Sequence, residues 1–339
     1  MASTQGKLVD ITFRPGLDRS STPYASEGTW YDSGRVRFRD GYPETMRGRT
    51  TFVVSTSSHI GTPRKIMSWS QNDGVANIGL GTESHLYINQ VSTYFDITPV
   101  RASAASSLTL STTLNSREIN VSITSHGLTT GDYVVFSSMQ ATVGGNVYLT
   151  GNEYLVSVSS ANIFNFQYGS SATATSTDAG SFNINYLLPT GLSVTTSTTR
   201  LRNWSLDAYG EDLLANPSGE RIYWWDRTNG TNVRAVLVTA SPSINDVMLI
   251  SEEARHVLSF GTIDTDNVYQ PLLVRWSAAN NFNDWTASIG NAAGSLLLQG
   301  GSRIVGALRT KGSILVWTDS TLHALDYVGG NFVFRNRKL

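Results

Sequence analysis

The sequence predicts an all-β fold, a β-propeller-like stack of blades with a small β-sandwich or barrel inserted into it. Three observations carry that expectation. Helix-period patterns with caps are almost absent. Short runs rich in Val, Ile, Tyr, Trp and Thr, bounded by Gly, Asn or Asp, recur from end to end, as strands and tight turns do. The runs also come in groups of three or four within about 40 residues, a unit too small to cover both faces of its own sheet. Such units must stack on one another, as propeller blades do; a β-sandwich is the competing arrangement.

Taken in order, the stretch from Met1 to Asp10 holds no apolar run of signal-peptide length. Arg35–Arg39 reads as a strand in which arginines alternate with Val36 and Phe38, so one face is basic and the other apolar. A first blade follows from Lys65–Trp69, Ala76–Leu80, His85–Asn89 and Tyr94–Ile97. From about Arg101 to Pro189 the texture changes: Ser, Thr, Ala and Gly dominate, and all eight tryptophans lie elsewhere. Strands there are Glu118–Ile123, Tyr133–Phe136, Glu153–Val158, Ile163–Phe166 and Phe182–Tyr186, with Ser/Thr linkers expected at Ala102–Ser107 and Thr195–Thr199. This segment reads as a separate small domain; one long blade with elaborate loops is the alternative. Blade cadence resumes at Trp204–Leu206, Leu213–Ala215 and Arg221–Asp226, continues through His256–Phe260 and Leu272–Trp276, and closes with Ile304–Leu308, Ser313–Trp317 and Leu322–Tyr327. The expected division is therefore an arm and first blades in residues 1–100, an inserted β-domain in 101–189 and the remaining blades in 190–339.

Composition narrows the chemistry. Charged residues make up 15% of the 339, well under the usual quarter of a globular chain. That fits a surface largely covered by other subunits, and equally a Ser/Thr/Asn-rich β-protein. With 25 basic and 26 acidic residues the net charge is −1, so no overall field draws the chain to nucleic acid or an anionic membrane. The absence of cysteine removes disulfides, thiolate catalysis and Cys-based zinc sites. No segment has the apolar length that spans a bilayer, so a soluble chain made in the cytoplasm is expected.

Motif by motif, catalysis finds no anchor. Of the five histidines, no two have metal-ligand spacing; His85, His256 and His323 fall in or beside strands as structural residues, and His126 sits in a turn. There is no G-x-S-x-G elbow and no P-loop. Asp264 and Asp266 could be offered as a glycosidase pair or a calcium loop, but the further spaced oxygen ligands are missing and a solvated turn is the expected reading. No catalytic, cofactor or metal residue is expected. The densest local charge is Arg35, Arg37, Arg39, Arg47 and Arg49, a stripe that could meet phosphate or pair with acidic side chains at a subunit interface.

Several passages resemble a family of short-tailed phage virion proteins, the tail nozzle, tail tubular and packaged-DNA stabilisation proteins. They are Phe13–Asp18, Gly28–Glu44, Trp204–Pro217, Ile222–Asp226, Arg255–Gly261, Pro271–Ser277, Ile304–Thr310 and Ile314–Leu322. The inserted segment, with Ser125–Phe136, resembles β-modules found as insertions in phage structural proteins. The resemblance implies a non-enzymatic, propeller-bearing subunit of the virion tail. It also implies a homo-oligomer, usually a hexameric ring below the portal and adaptor, with a needle, fibre or distal nozzle protein beneath it. The implied role is to close the DNA channel after packaging and conduct DNA during ejection. Family members run into further blades past the Leu325–Gly330 passage, so the chain is expected to be either a short member of the family or one that lacks the final blades. Trp30, Arg35, Arg37, Arg39 and Trp225 are the interface candidates, whose loss should impair assembly rather than turnover. The alternatives are a carbohydrate-binding or depolymerising propeller of tailspike type, and a head-tail adaptor or minor capsid protein.

Overall fold

The structure, a computed structural model, describes residues 14–46 apart from 21, 26 and 27, and residues 58–339 apart from 106–107, 138–141, 179–182, 188–202, 289 and 331. The chain divides into two compact units, residues 1–54 and 55–339. Among the described residues regular structure is all strand, save one 3-10 turn at Arg227–Asn229.

In the first unit β1 (Val36–Arg39) pairs antiparallel with β2 (Tyr42–Thr45). Asp40 and Gly41 join them, with φ of 50° and 85°. An Asp-Gly pair with two positive φ angles makes the tight turn whose twist matches that of the flanking strands.

The second unit is a propeller-like arc of four blades, each a four-stranded antiparallel sheet in sequential order. Blade 1 is β3 (Pro63–Ser70), β4 (Ala76–Thr82), β5 (Leu86–Gln90) and β6 (Thr93–Asp96). The inserted domain follows as β7 (Val100–Ala105), β8 (Thr109–Thr112), β9 (Glu118–Ser122), β10 (Tyr133–Ser137), β11 (Glu153–Leu155), β12 (Ser157–Ser160), β13 (Ile163–Gln167), β14 (Ser176–Asp178) and β15 (Asn183–Leu187). Blade 2 is β16 (Trp204–Tyr209), β17 (Asp212–Pro217), β18 (Tyr223–Trp225) and β19 (Val236–Leu237). Blade 3 is β20 (Asn245–Ile250), β21 (Val257–Ile263), β22 (Tyr269–Trp276) and β23 (Gly294–Leu297). Blade 4 is β24 (Ile304–Thr310), β25 (Ser313–Thr318), β26 (Leu322–Tyr327) and β27 (Phe334–Lys338). Among the described residues of 1–100, one blade is seen.

Successive first strands pack side by side, β3 on β16, β16 on β20 and β20 on β24. A blade stacked on both faces needs apolar residues at both parities, which is why β21 is buried at every position. Three apolar joints result. Met67, Trp69, Leu86 and Ile88 of blade 1 meet Trp204, Leu206 and Trp225 of blade 2. Leu214 and Ile222 meet Met248, Ile250 and Val257 of blade 3. Phe260, Val274 and Trp276 meet Ile314, Val316 and Phe334 of blade 4.

At the first joint, Gly81 lies directly under the Trp204 indole, whose N–H donates to the Thr82 carbonyl at 2.8 Å. A Cβ at Gly81 would stand 2.2 Å from the ring, so only glycine fits. Gly81→Ala is expected to destabilise by about 1–3 kcal/mol through overpacking, read from the denaturant midpoint.

The inserted domain is a small β-sandwich. Its sheets run β11-β10-β15-β7 and β12-β13-β9-β8-β14. They face each other across one core that includes Leu110, Ile119, Val121, Val134, Phe136, Phe164, Phe166 and Ile184. Strict alternation in β9 and β10 places one residue in two inside. Two expectations are corrected here. The stretch expected as a linker at Ala102–Ser107 is strand through Ala105, paired with β15, because ladder bonds are backbone bonds and need no apolar side chain. The single strand expected at Glu153–Val158 is split into β11 and β12, which join different sheets; between them the Val156 N–H donates to the Asp132 carbonyl. The second expected linker, Thr195–Thr199, lies outside the described residues, as do Phe13, Arg47, Arg49 and Phe182.

Candidate functional site

The alternation on β1 leaves Arg35, Arg37 and Arg39 exposed on one face and half-buries Val36 and Phe38 on the other, where the half-buried Trp30 ring stands 6.1 Å from Phe38. Arg37 forms an ion pair at 2.9 Å with Glu44, its cross-strand partner. Both side chains are well exposed, so the pair contributes little to stability. Among the described residues Arg35 and Arg39 have no ion-pair partner, and Arg39 sits opposite the exposed Tyr42. The basic stripe is therefore only partly neutralised from within its own hairpin.

Trp225, expected at a subunit interface, lies instead in the joint between blades 1 and 2, 1% exposed. Alternation along β18 explains the placement: Tyr223 and Trp225 turn toward blade 1, while Trp224 turns toward blade 3 and meets Phe282 at 5.2 Å. The Trp225 N–H has no acceptor among the described residues.

Charged clusters reinforce each apolar joint. At the first, Arg227 donates to the Gln71 side-chain carbonyl at 3.0 Å and pairs with Asp73, while the Trp69 N–H reaches the Glu211 carbonyl at 3.0 Å. The inserted domain is held by a second cluster. Arg234 of blade 2 sits 2.6 Å from Asp96 of blade 1 and 3.7 Å from Glu153 of β11, and donates to the Thr98 carbonyl at 2.9 Å. Glu153 in turn meets His85 Nε2 at 2.9 Å, and His85 Nδ1 meets Ser84 Oγ at 2.7 Å. A Ser-His-Glu set has the composition of a hydrolytic triad, but His85 is wholly buried, with Tyr87 stacked on it at 5.6 Å and Tyr133 edge-on at 4.6 Å. Ser84 is buried as well, and the set bridges blade 1 and the sandwich. The third cluster ties blades 2, 3 and 4 together through Asp207 and Arg309, 3.1 Å apart.

Three other histidines, His126, His256 and His323, are hydrogen-bonded as structural residues. His126 Nδ1 accepts from the Leu128 N–H in its turn, and His323 lies between Thr321 and Asn336 at 2.9 and 3.0 Å. His256 donates from Nδ1 to the Ser277 carbonyl at 2.7 Å, while Nε2 has no partner among the described residues. Burial pushes its pKa below 6.5, so the folded chain holds it neutral where the unfolded chain takes a proton. Its contribution to stability is complete above about 6.5 and is lost as pH falls from there through the depressed folded value. His256→Gln is expected to flatten this part of the stability-pH curve, checked by denaturant melts across mildly acidic pH.

Asp264 accepts from the backbone N–H groups of Asp266 and Val268, each at 2.9 Å. The bond from Val268 is the main reason its carboxyl lies below the ordinary value. The carboxylate is used in closing the β21–β22 turn, not in facing a partner acid. Among the described residues no group of three His, Cys, Asp or Glu could hold a metal ion, and no helix is long and apolar enough to cross a membrane.

Sequence reasoning missed Asp207, Arg309, Arg234 and Glu153. For Asp207 one signal existed, a lone acid inside the apolar run Trp204–Tyr209.

No protein-family model and no curated protein matches the chain. Among solved structures it is similar to a phage phi92 endosialidase, at 11% identity and a TM-score of 0.26, over 76% of this chain and 40% of that one. The chain spans two fifths of the length of that protein, and a likeness this slight supports no conclusion about fold or activity.

Proposed function

We propose that the chain is a structural subunit of a short-tailed phage tail, a nozzle or tail-tube component that closes the DNA channel after packaging and conducts DNA during ejection. One observation carries this reading. The passages from Trp204 onward that resemble the family fall on blade strands and their joints: Trp204–Pro217 is β16 and β17 with Asp207, Ile222–Asp226 contains β18, and Ile304–Thr310 is β24 with Arg309. What the resemblance marks is the means by which blades are locked together, as a load-bearing scaffold requires. A ring of such subunits would meet the portal-side adaptor above and a needle, fibre or distal nozzle protein below, with function in interfaces. Its lumen need not be basic, since tight phosphate binding would slow DNA transit.

Cryo-electron microscopy of the particle tests the reading. Density for this chain in a ring on the tail axis supports it, and density in the capsid shell away from that axis rules it out. Replacing Arg35, Arg37 and Arg39 together with glutamate is expected to reduce incorporation into particles while leaving the melting temperature of the purified chain unchanged. All three are exposed, and the one ion pair they form among the described residues contributes at most about 1 kcal/mol.

A further inference from the structure

The indole N–H groups of Trp69, Trp204, Trp224, Trp276 and Trp285 each donate to an oxygen of the chain, at 2.7 to 3.0 Å. Trp225 departs from this pattern: it is 1% exposed and its N–H has no acceptor among the described residues. The facing wall of the same joint, on blade 1, holds two more such donors. They are Gln71 Nε2, two residues beyond Trp69, and Asn77 Nδ2, on the cross-strand partner of Trp69, in residues 6% and 0% exposed. Turning either amide over would not help. The Gln71 carbonyl oxygen accepts from Arg227 Nε at 3.0 Å and that of Asn77 from Gln90 Nε2 at 2.6 Å, so both N–H ends are fixed where they are. A buried donor without an acceptor is costly and uncommon, and three on the facing walls of one joint point to a partner rich in oxygen.

Two of these three residues border open space. Gln71 and Trp225 line a cavity of about 340 Å³, formed where the β3–β4 turn, the end of β5 and the loop after β18 meet; Asp73, Val75, Gln90 and Arg227 line it too. That volume lies at the lower end of the range for ligand pockets, about 300–1,000 Å³. Asn77 stands one layer behind, in contact with Gln90. Among the described lining residues Arg227 is the one cation, and acids outnumber it: it pairs with Asp73, lies 3.8 Å from Glu211, and its backbone N–H donates to Asp212 at 3.0 Å. An anion would therefore be repelled, and a metal ion would face N–H groups. What the lining does offer, besides donors, is acceptors: the Asp73 carboxylate, 45% exposed, and the Gln90 carbonyl oxygen, left over when its N–H is spent on Asn77. A hydroxyl group both accepts and donates, so it can meet both kinds at once.

We propose that this cavity between blades 1 and 2 binds a small neutral saccharide. Its hydroxyl oxygens accept from Trp225 Nε1 and Gln71 Nε2, and its hydroxyl protons go to Asp73 and to the Gln90 carbonyl. A site that spends buried donors on hydroxyl groups discriminates strongly against ligands that lack them, because the donors are then left unpaired. The proposal concerns this joint alone and does not depend on the tail role.

Saturation-transfer NMR titrations of the purified chain with glucose, galactose, N-acetylglucosamine, maltose and lactose, beside inorganic phosphate, test it. At least one of the sugars is expected to bind with a dissociation constant of about 1 mM or tighter, and phosphate is expected not to bind. Two variants remove one donor each. Trp225→Phe deletes the indole N–H and keeps most of the ring volume, and Gln71→Glu exchanges the N–H for an oxygen while keeping an acceptor for Arg227. Each is expected to weaken sugar binding about tenfold, the worth of one hydrogen bond in a desolvated site. Thermal melts check that the fold is intact; if Trp225→Phe melts early, Gln71→Glu carries the comparison. A crystal soaked in the sugar that binds supplies a readout free of any variant, with the sugar expected within hydrogen-bond distance of Trp225 Nε1 and Gln71 Nε2. Binding by none of the five sugars, binding of phosphate instead, or a folded Gln71→Glu that binds like wild type would each overturn the proposal. So would a soaked crystal with ordered water alone at the two donors. None of these outcomes touches the position of the chain in the particle, by which the tail role is judged.

Discussion

Trp225→Ala is expected to cost the fold about 3–5 kcal/mol, the range for deleting a large aromatic from a packed core. Trp225 is 1% exposed and lies between two sheets, each held by its own ladder. Neither sheet can move into the space without breaking register at the joint, so most of the cavity should persist. For a chain of this size the loss corresponds to a fall in Tm on the order of ten degrees, measured on the purified chain in a thermal melt. Trp225→Phe should be far milder: it keeps most of the apolar volume and removes an N–H that has no acceptor among the described residues, a group whose burial is itself costly. An unchanged Tm in Trp225→Ala, with particle assembly alone impaired, would return Trp225 to a subunit interface.

The all-β, blade-like character was legible in the sequence because it is written locally. Alternation and turn residues name β3 to β6, β16 to β18 and β24 to β26, and Arg35–Arg39 names the first strand of the hairpin but not its partner Tyr42–Thr45. The inserted sandwich announced itself by composition. Less legible were features that depend on distant backbone. The strand Val100–Ala105 reads as a linker because small side chains carry no periodic signal, although β15 pairs with it along its length. The break at Val156 depends on a bond to Asp132. Trp225 is a different case. The run Ile222-Tyr-Trp-Trp-Asp226 is aromatic at both parities, the mark of a strand covered on both faces, but the family resemblance made Trp225 an interface candidate. The Asp207 cluster joins residues 43 and 102 positions away in the sequence, and no local pattern reports such partners.

Arg309→Met is expected to destabilise the chain by about 3–5 kcal/mol at neutral pH, because it leaves a buried carboxylate without its cation. Asp207 Oδ2 accepts from the Ile250 N–H at 2.9 Å and from Arg309 Nη1 at 3.1 Å, so one acid of β16 holds β20 and β24 to the same point. Arg309 Nη1 also donates to the Ile250 carbonyl at 2.6 Å. Burial is the largest influence on Asp207 and raises its pKa above 3.8, opposed by the Ile250 and Ala208 N–H groups and by Arg309. Between 3.8 and that raised value the folded chain therefore binds more protons than the unfolded chain, so stability falls as pH rises through the window and stays lower above it. Removing Arg309 extends the window upward. The deficit of Arg309→Met relative to wild type should accordingly be greatest at neutral pH and shrink as the medium is made acidic enough to protonate Asp207. Adding Asp207→Asn to Arg309→Met should recover much of the loss at neutral pH, since no buried charge then remains unpaired. Urea midpoints for the two single variants and the double variant, at neutral and mildly acidic pH, decide the matter. A deficit in Arg309→Met that is the same at both pH values and is not relieved by Asp207→Asn would mean that Arg309 acts by packing its aliphatic stem, and that the three blades are held by their apolar joints alone.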